Sequence, residues 1–215
     1  MKQNIDTILF DLDGTLVNTY ELILQSFLHT FEHFGFHQFK REDCYKFIGP
    51  TLIESFSSIA PDQAEAMVDY YRKFNKSHHD ELVQEFPGVN EAIHTLSEQG
   101  TKLAVVSTKM RDTVLKGLEK TNLRSYFPVV ITLDDVEKAK PDPEPLYKAM
   151  NMLHANPEKT LMVGDSYHDI QGAKNAGVGS VGVTWTIQGE DYLKKYNPDY
   201  LIGDMRELLS IVGVK

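Results

Sequence analysis

The stretch Thr7-Ile8-Leu9-Phe10-Asp11-Leu12-Asp13-Gly14-Thr15-Leu16 sets two carboxylates one residue apart directly after a short apolar run. A run this brief, apolar and bounded by polar residues reads as a buried strand. Asp11 and Asp13 then stand where the chain leaves the core. Two unit charges about 4 Å apart repel by roughly 4 kcal/mol at an effective dielectric near 20, so either something neutralises the pair or one acid keeps its proton. A calcium-binding EF-hand loop is excluded, because it needs a preceding helix and a glycine at its sixth position, where this chain has Leu16. A DxD alone is commonplace in a chain with 31 acidic residues, so its meaning depends on what the fold brings beside it.

Five further apolar runs have the same character: Lys102 to Val106, Val129 to Thr132, Thr160 to Val163, Ser180 to Val183 and Tyr200 to Ile202. Helical patterns separate most of them, at Val89 to Glu98, Asp112 to Thr121, Pro145 to Leu153, Ser166 to Ala176 and Met205 to Val212, with Gly100 and Gly177 where helices would end. Continuously apolar strands alternating with helices predict an α/β fold, a Rossmann-like parallel sheet covered on both faces.

The segment 17–86 breaks this rhythm. Leu22, Ile23, Phe27, Phe31 and Phe34 recur at helical spacing, and helical patterns follow at Glu42 to Phe47, Leu52 to Ile59 and Asp62 to Leu82, the last introduced by Pro61. No good strand is expected among them. The organisation expected is an α/β core made of 1–16 and 87–215, with an all-helical insert at 17–86.

Composition narrows the class. With 41% hydrophobic and 25% charged residues the chain is an ordinary globular sequence. A formal charge of −9 argues against a broad nucleic-acid or anionic-membrane surface, though not against a small anion held by a few local cations or a metal. No run approaches the ~20 apolar residues of a membrane span, and the N-terminal residues do not read as a secretory signal. Cys44 is the only cysteine, which precludes an internal disulfide and suits a reducing, cytoplasmic compartment; it reads as a small buried residue.

In open parallel sheets, ligands bind beyond the carboxyl ends of the strands. Those ends carry Asp11 and Asp13 with Gly14; Ser107, Thr108 and Lys109; and Asp165 with Asp169 a helical turn on, while Lys140 lies in the proline-stiffened loop Ala139-Lys140-Pro141-Asp142-Pro143. Each has a plain alternative. Ser107 can cap a strand end, Lys140 can be a solvated lysine, and Asp165-Ser166 can cap the following helix. Their joint occurrence on one rim favours a shared site.

The segments "FDLDGTL", the serine of "VVSTK", the lysine of "AKPDPEP" and "VGDSYHD" resemble, in order and spacing, the four motifs of the haloacid dehalogenase superfamily of phosphatases. The insert resembles that superfamily's smaller helical cap. More narrowly, "NTYELILQSFLHTFE", "KREDCYKFIGP", "YRKFNKSHHDELV" and "TLDDVEKAKPDPEP" resemble its bacterial inorganic pyrophosphatase branch, whose near relatives are phosphoglycolate phosphatases. The resemblance implies that Asp11 attacks phosphorus to give an aspartyl-phosphate, while Asp13 protonates the leaving oxygen and later deprotonates water. Splitting the displacement into two steps lowers each barrier, provided the two acids hold different protonation states.

Repulsion among a phosphate, Asp11 and Asp165 calls for a divalent cation, and oxygen-only ligands favour Mg²⁺. Asp11, the Asp13 carbonyl and Asp165 are expected to bind it, with Asp169 orienting the ligands or Lys140. Ser107 and Lys140 are expected to grip the phosphoryl oxygens, and Gly14 to let the turn approach closely. The substrate implied is pyrophosphate, released when seryl-phosphorylated HPr is phosphorolysed, without a stable complex. The alternatives are phosphoglycolate or another small phosphoester, and a protein that binds phosphate ligands without turnover.

A cap selecting pyrophosphate should present hydrogen-bond donors rather than an apolar pocket. Asn18, Thr108 and Lys109 are the expected substrate contacts, with the Gly49-Pro50-Thr51 loop as a further candidate and Arg111 available from the core side. Asn18 has a helix N-cap as its plain alternative. Arg72, Lys73 and Lys76 are expected on a solvated helix face, and the adjacent His78 and His79, which point in different directions, do not make a metal pair.

Overall fold

The computed structural model describes residues 5–213. Residues 1–4 and 214–215, assigned above to the core, lie outside the described residues. In chain order the strands are β1 (Thr7–Phe10), β2 (Val17–Asn18), β3 (Gln84–Glu85), β4 (Lys102–Val106), β5 (Val129–Ile131), β6 (Thr160–Gly164), β7 (Gly179–Val183) and β8 (Tyr200–Ile202). The α-helices are α1 (Tyr20–His33), α2 (Leu52–Ser57), α3 (Ala64–Leu82), α4 (Val89–Glu98), α5 (Arg111–Lys120), α6 (Glu144–Leu153), α7 (Tyr167–Ala176), α8 (Glu190–Lys194) and α9 (Glu207–Val212).

Six strands form one parallel sheet in the order β5-β4-β1-β6-β7-β8. Phe10 pairs with Val105 on one side and Val163 on the other. β1 is therefore buried on both edges and both faces, which is why its run is continuously apolar. From β1 the chain winds outward through β4 and β5, then returns to the opposite edge of β1 as β6. The order reverses at β1, so its carboxyl end opens into a crevice. Alternate strand residues feed two apolar layers. Ile8 and Phe10 pack with Val105 and Val163, whereas Leu9 packs with Ala104 and Met162 on the opposite face.

The helical insert has its own apolar cluster, centred on Phe27. That ring lies 4.8 Å from Tyr71, 5.2 Å from Phe47 and 5.3 Å from Phe56, centroid to centroid. Leu22, on the same predicted face as Phe27, packs instead with the sheet-side cluster. Buried Cys44 joins the Phe27 cluster, and burial pushes its thiol up to about 11, which suits a packing residue.

One expectation needs correction. The insert is not strand-free: β2 and β3 pair antiparallel, Val17 with Glu85 and Asn18 with Gln84, tying its two ends together. Pairs of two residues carry no alternation that a sequence pattern can reveal. The helix expected at Glu42 to Phe47 is present as a 3₁₀ helix, Arg41–Phe47, and α8 adds to the helices expected.

Candidate active site

The Asp11 N–H donates to the Val163 carbonyl at 2.9 Å, so the sheet ladder continues through this residue and fixes its side chain over the crevice. The chain then turns tightly, with the Leu16 and Val17 N–H groups both donating to the Leu12 carbonyl. Gly14 adopts φ +73°, and a Cβ there would collide with the Asp165 carboxylate and the Tyr20 hydroxyl. The turn presents Asp13 to Thr19 Oγ1, which donates to its Oδ1 at 2.5 Å, and to Lys109 Nζ at 2.7 Å from the same oxygen.

Lys140 is only 4% exposed. Its ammonium donates three hydrogen bonds, to Asp11 Oδ1 at 2.8 Å, Asp169 Oδ1 at 2.7 Å and the Val106 carbonyl at 2.7 Å. The solvated-lysine alternative fails, since three N–H donors meet three acceptors. Burial alone would lower this ammonium, but Asp11 and Asp169 outweigh it and hold it above its ordinary value.

Asp165 follows β6, and Ser166 caps α7. The Ser166 N–H and Oγ–H both donate to Asp169 Oδ2, at 3.1 and 2.6 Å. Asp169 thus acts in the cap and in holding Lys140, with both oxygens engaged. Burial pushes Asp165 well above the usual carboxylate range, with added repulsion from Asp169 and Asp11; the Tyr20 O–H, 2.6 Å from its Oδ2, pulls the other way. Burial likewise pushes Asp11 up to about 7 against the pull of Lys140, with Asp169 and Asp13 adding repulsion.

At the end of β4, buried Ser107 accepts from the Lys109 N–H at 3.2 Å. The Thr108 hydroxyl donates to the Gly49 carbonyl at 3.2 Å, joining the rim to the insert. Gly49 has φ +110°, and a Cβ there would press on His168 and Ser166. The loop around Gly49 therefore seats on the start of α7 because it lacks a side chain.

A cavity of about 440 Å³ lies between rim and helices. Its floor includes Asp11, Asp13, Lys140 and Asp165, joined from β4 by Thr108 and Lys109. The helical wall mixes Ile23, Phe27 and Val68 with Arg72, Asn75 and Lys76. This corrects the expectation of a wall made of donors. Arg72 and Lys76 line the cavity, whereas Lys73 does not, and all three are exposed, as expected of a solvated helix face. Asn18 is not among the lining residues, because its pairing with Gln84 holds it in the two-stranded ribbon.

Arg111 also stays outside, where it binds Asp135 at 2.6 Å. The N-cap alternative for Asn18 is not met either, since Thr19 holds that position on α1. His79 is buried and bonded to Asp80, while His78 stacks on Phe74.

Two site residues escaped the sequence reading. Tyr20 opens α1, and nothing in its local sequence shows that its hydroxyl reaches across the chain to Asp165. His168 lies within "VGDSYHD" and lines the cavity beside Gly49; its Nδ1 is buried without a partner among the described residues.

Asp11, Asp165 and Asp169 are all buried, each offering an oxygen within 4.8 Å of the others. Among the described residues, the ammonium paired with this cluster is that of Lys140, held by Asp11 and Asp169. The donor set is all oxygen, Asp11 Oδ2 and Asp165 Oδ1 accept no hydrogen bond among the described residues, and burial raises both acids. Such a group fits a hard divalent cation. Among the described residues no helix is long and apolar enough to cross a membrane.

Residues 8–183 match the haloacid dehalogenase-like hydrolase family. The chain is 54% identical over 211 residues to Pyrophosphatase PpaX of Anoxybacillus flavithermus, covering 98% of each chain. It is equally 54% identical over 211 residues to Pyrophosphatase PpaX of Halalkalibacterium halodurans, again covering 98% of each. The fold is similar to that of a haloacid dehalogenase-like hydrolase from Bacteroides fragilis, with a TM-score of 0.89, 31% identity and coverage of 95% of this chain and 99% of that one. With the family match spanning both sides of the insert and most of the sheet, the chain belongs to the haloacid dehalogenase-like hydrolase family.

Proposed function

We propose that this protein hydrolyses inorganic pyrophosphate to two phosphates through an aspartyl-phosphate on Asp11. The observation that carries this proposal is the convergence of Asp11, Asp13, Asp165 and Lys140 on the floor of one cavity. The two pyrophosphatases with which the chain shares 54% identity support the choice of substrate.

Lys140 donates to Asp11 Oδ1 and fixes the carboxylate, one oxygen of which attacks phosphorus. As that O–P bond forms, the bridging P–O bond breaks, and the departing phosphate takes a proton from Asp13. Asp13 then removes a proton from water, whose oxygen attacks the phosphoryl group; the Asp11–phosphorus bond breaks and the second phosphate leaves. Ser107 is the side chain that would hold the phosphoryl oxygens, where charge accumulates, while Lys140, its three N–H groups engaged by Asp11, Asp169 and the Val106 carbonyl, offsets that charge from beside Asp11. Thr108 and Lys109 border the same space.

Asp11, the Asp13 carbonyl and Asp165 are the residues that would hold Mg²⁺, with Asp169 fixing Lys140 and the start of α7. When bound, the metal supplies charge neutralisation between carboxylates and phosphate. Residues 17–86 act as a cap over a core formed by 1–16 and 87–215. The setting is cytoplasmic, and the implied source of substrate is the phosphorolysis of seryl-phosphorylated HPr, met by diffusion without a stable complex.

One observation favours a second reading. The cavity's apolar wall of Ile23, Phe27 and Val68 offers pyrophosphate nothing, and suits a small phosphomonoester with a carbon skeleton. Phosphate release measured side by side with pyrophosphate, phosphoglycolate and sugar phosphates in Mg²⁺ decides between them. Pyrophosphate is expected to give the highest kcat/KM; a higher value for phosphoglycolate overturns the substrate, and no release from any of them overturns catalysis.

A further inference from the structure

Tyr20 is the first residue of α1, in the insert, yet its hydroxyl lies against the sheet-borne machinery. It stands 2.6 Å from Asp165 Oδ2 and 3.3 Å from the Gly14 carbonyl. A phenol has one proton to donate. The shorter contact to a carboxylate takes it, since hydrogen bonds to ionised acceptors are the shorter and stronger kind. The tyrosine is 8% exposed, and its ring meets Phe86 edge-on at 6.2 Å, where the chain leaves the insert. Gly14 completes the arrangement, because any side chain there would displace both the phenol and the carboxylate.

This contact leaves the two oxygens of Asp165 inequivalent. Oδ2 is occupied by the phenol, whereas Oδ1 accepts no hydrogen bond among the described residues. A carboxylate held at one oxygen cannot rotate freely, so the other keeps a fixed direction within the cluster of Asp11, Asp165 and Asp169. We infer that Tyr20 is a positioning residue for the metal site, its hydroxyl orienting Asp165 for cation binding from within the insert. The inference rests on the proposed assignment of Asp165 as a metal ligand. It also gives the insert a part in building the metal site, besides bordering the substrate cavity.

The test is calorimetric titration of Mg²⁺ into the full-length protein without substrate, comparing the parent with Tyr20→Phe and Phe86→Leu. Tyr20→Phe keeps the ring and removes only the O–H. Loss of a group that orients a metal ligand weakens metal affinity by about 10- to 100-fold, and that shift is expected here. The Mg²⁺ activation curve should move by the same factor, with kcat recovered at saturating metal and KM for pyrophosphate little changed. Phe86→Leu removes the ring on which Tyr20 leans but keeps the hydroxyl, so it should lower thermal stability while retaining Mg²⁺ affinity.

Parent-like Mg²⁺ affinity in Tyr20→Phe overturns the inference. So does an equal loss of affinity in Phe86→Leu, which would make the effect one of general packing. Should Tyr20→Phe fail to fold at the assay temperature, parent and variant are titrated in the cold, where the same outcomes apply. Absence of Mg²⁺ binding by the parent overturns the metal assignment itself, and the inference with it.

Discussion

Lys140 Nζ lies 2.8 Å from Asp11 Oδ1, the two side chains meeting where β1 leaves the sheet. Removing one partner of a buried ion pair costs about 3–5 kcal/mol because the other charge is stranded. Lys140→Ala should therefore abolish turnover and destabilise the fold. Asp11 can escape the penalty by taking a proton, so the destabilisation should be smaller at about pH 5 than at about pH 8. Chemical denaturation at both pH values measures this, and a pH-independent loss would contradict it.

The acid pair separates by substitution. Asp11→Asn removes the nucleophile while keeping the shape, and should abolish steady-state turnover with the fold intact. Asp13→Asn should cut turnover heavily yet let some aspartyl-phosphate form from a substrate with a good leaving group, detectable as a phosphoryl adduct by mass spectrometry. Substantial steady-state activity in Asp11→Asn would refute the covalent route.

Metal dependence should carry a pH signature. Burial raises Asp11 to about 7 and Asp165 well above the usual range, while Lys140 opposes the first shift and Tyr20 the second. For a carboxyl raised on folding, its contribution to stability is full below the unfolded value of about 4 and is lost as the pH rises through the folded one. The metal-free protein thus loses stability as the solution becomes neutral, and a bound cation restores it. Mg²⁺ should raise Tm more at about pH 8 than at about pH 5, and EDTA should silence the enzyme. Equal Tm increments at both pH values would remove Asp11 and Asp165 from the metal site.

Substrate selection should follow the cavity wall. Arg72 lines the cavity and makes no ion pair among the described residues, whereas Lys76 lies 3.5 Å from Asp112 and Lys109 is held by Asp13. A charge-assisted hydrogen bond contributes roughly 1.5–3 kcal/mol. Arg72→Ala should therefore lower kcat/KM for pyrophosphate on the order of ten- to a hundredfold, with a much smaller effect on an aryl phosphomonoester. Asn18→Asp, in the ribbon, should affect both substrates alike. Kinetics of the two variants on both substrates test the assignment, and the reverse pattern would return substrate reading to Asn18.

The central strands of the main sheet, β1, β4 and β6, were legible in the sequence because a strand buried on both faces needs a largely apolar run. The motif residues could be placed for the same reason: a strand end is a fixed point, so Asp11, Ser107 and Asp165 could be assigned to one rim before any distance was known. The ribbon of Val17–Asn18 with Gln84–Glu85 was invisible, since its pairing joins residues far apart in the chain and leaves no periodic trace. Side-chain direction was equally hidden. Arg72 and Lys73 are exposed neighbours of like charge, and only the packing of α3 against α1 decides that Arg72 borders the cavity and Lys73 does not. Tyr20 shows the limit most sharply. Its place at the start of a helix follows from local pattern, but its bond to Asp165 spans 145 residues of sequence and exists only because the sheet and the insert close on each other.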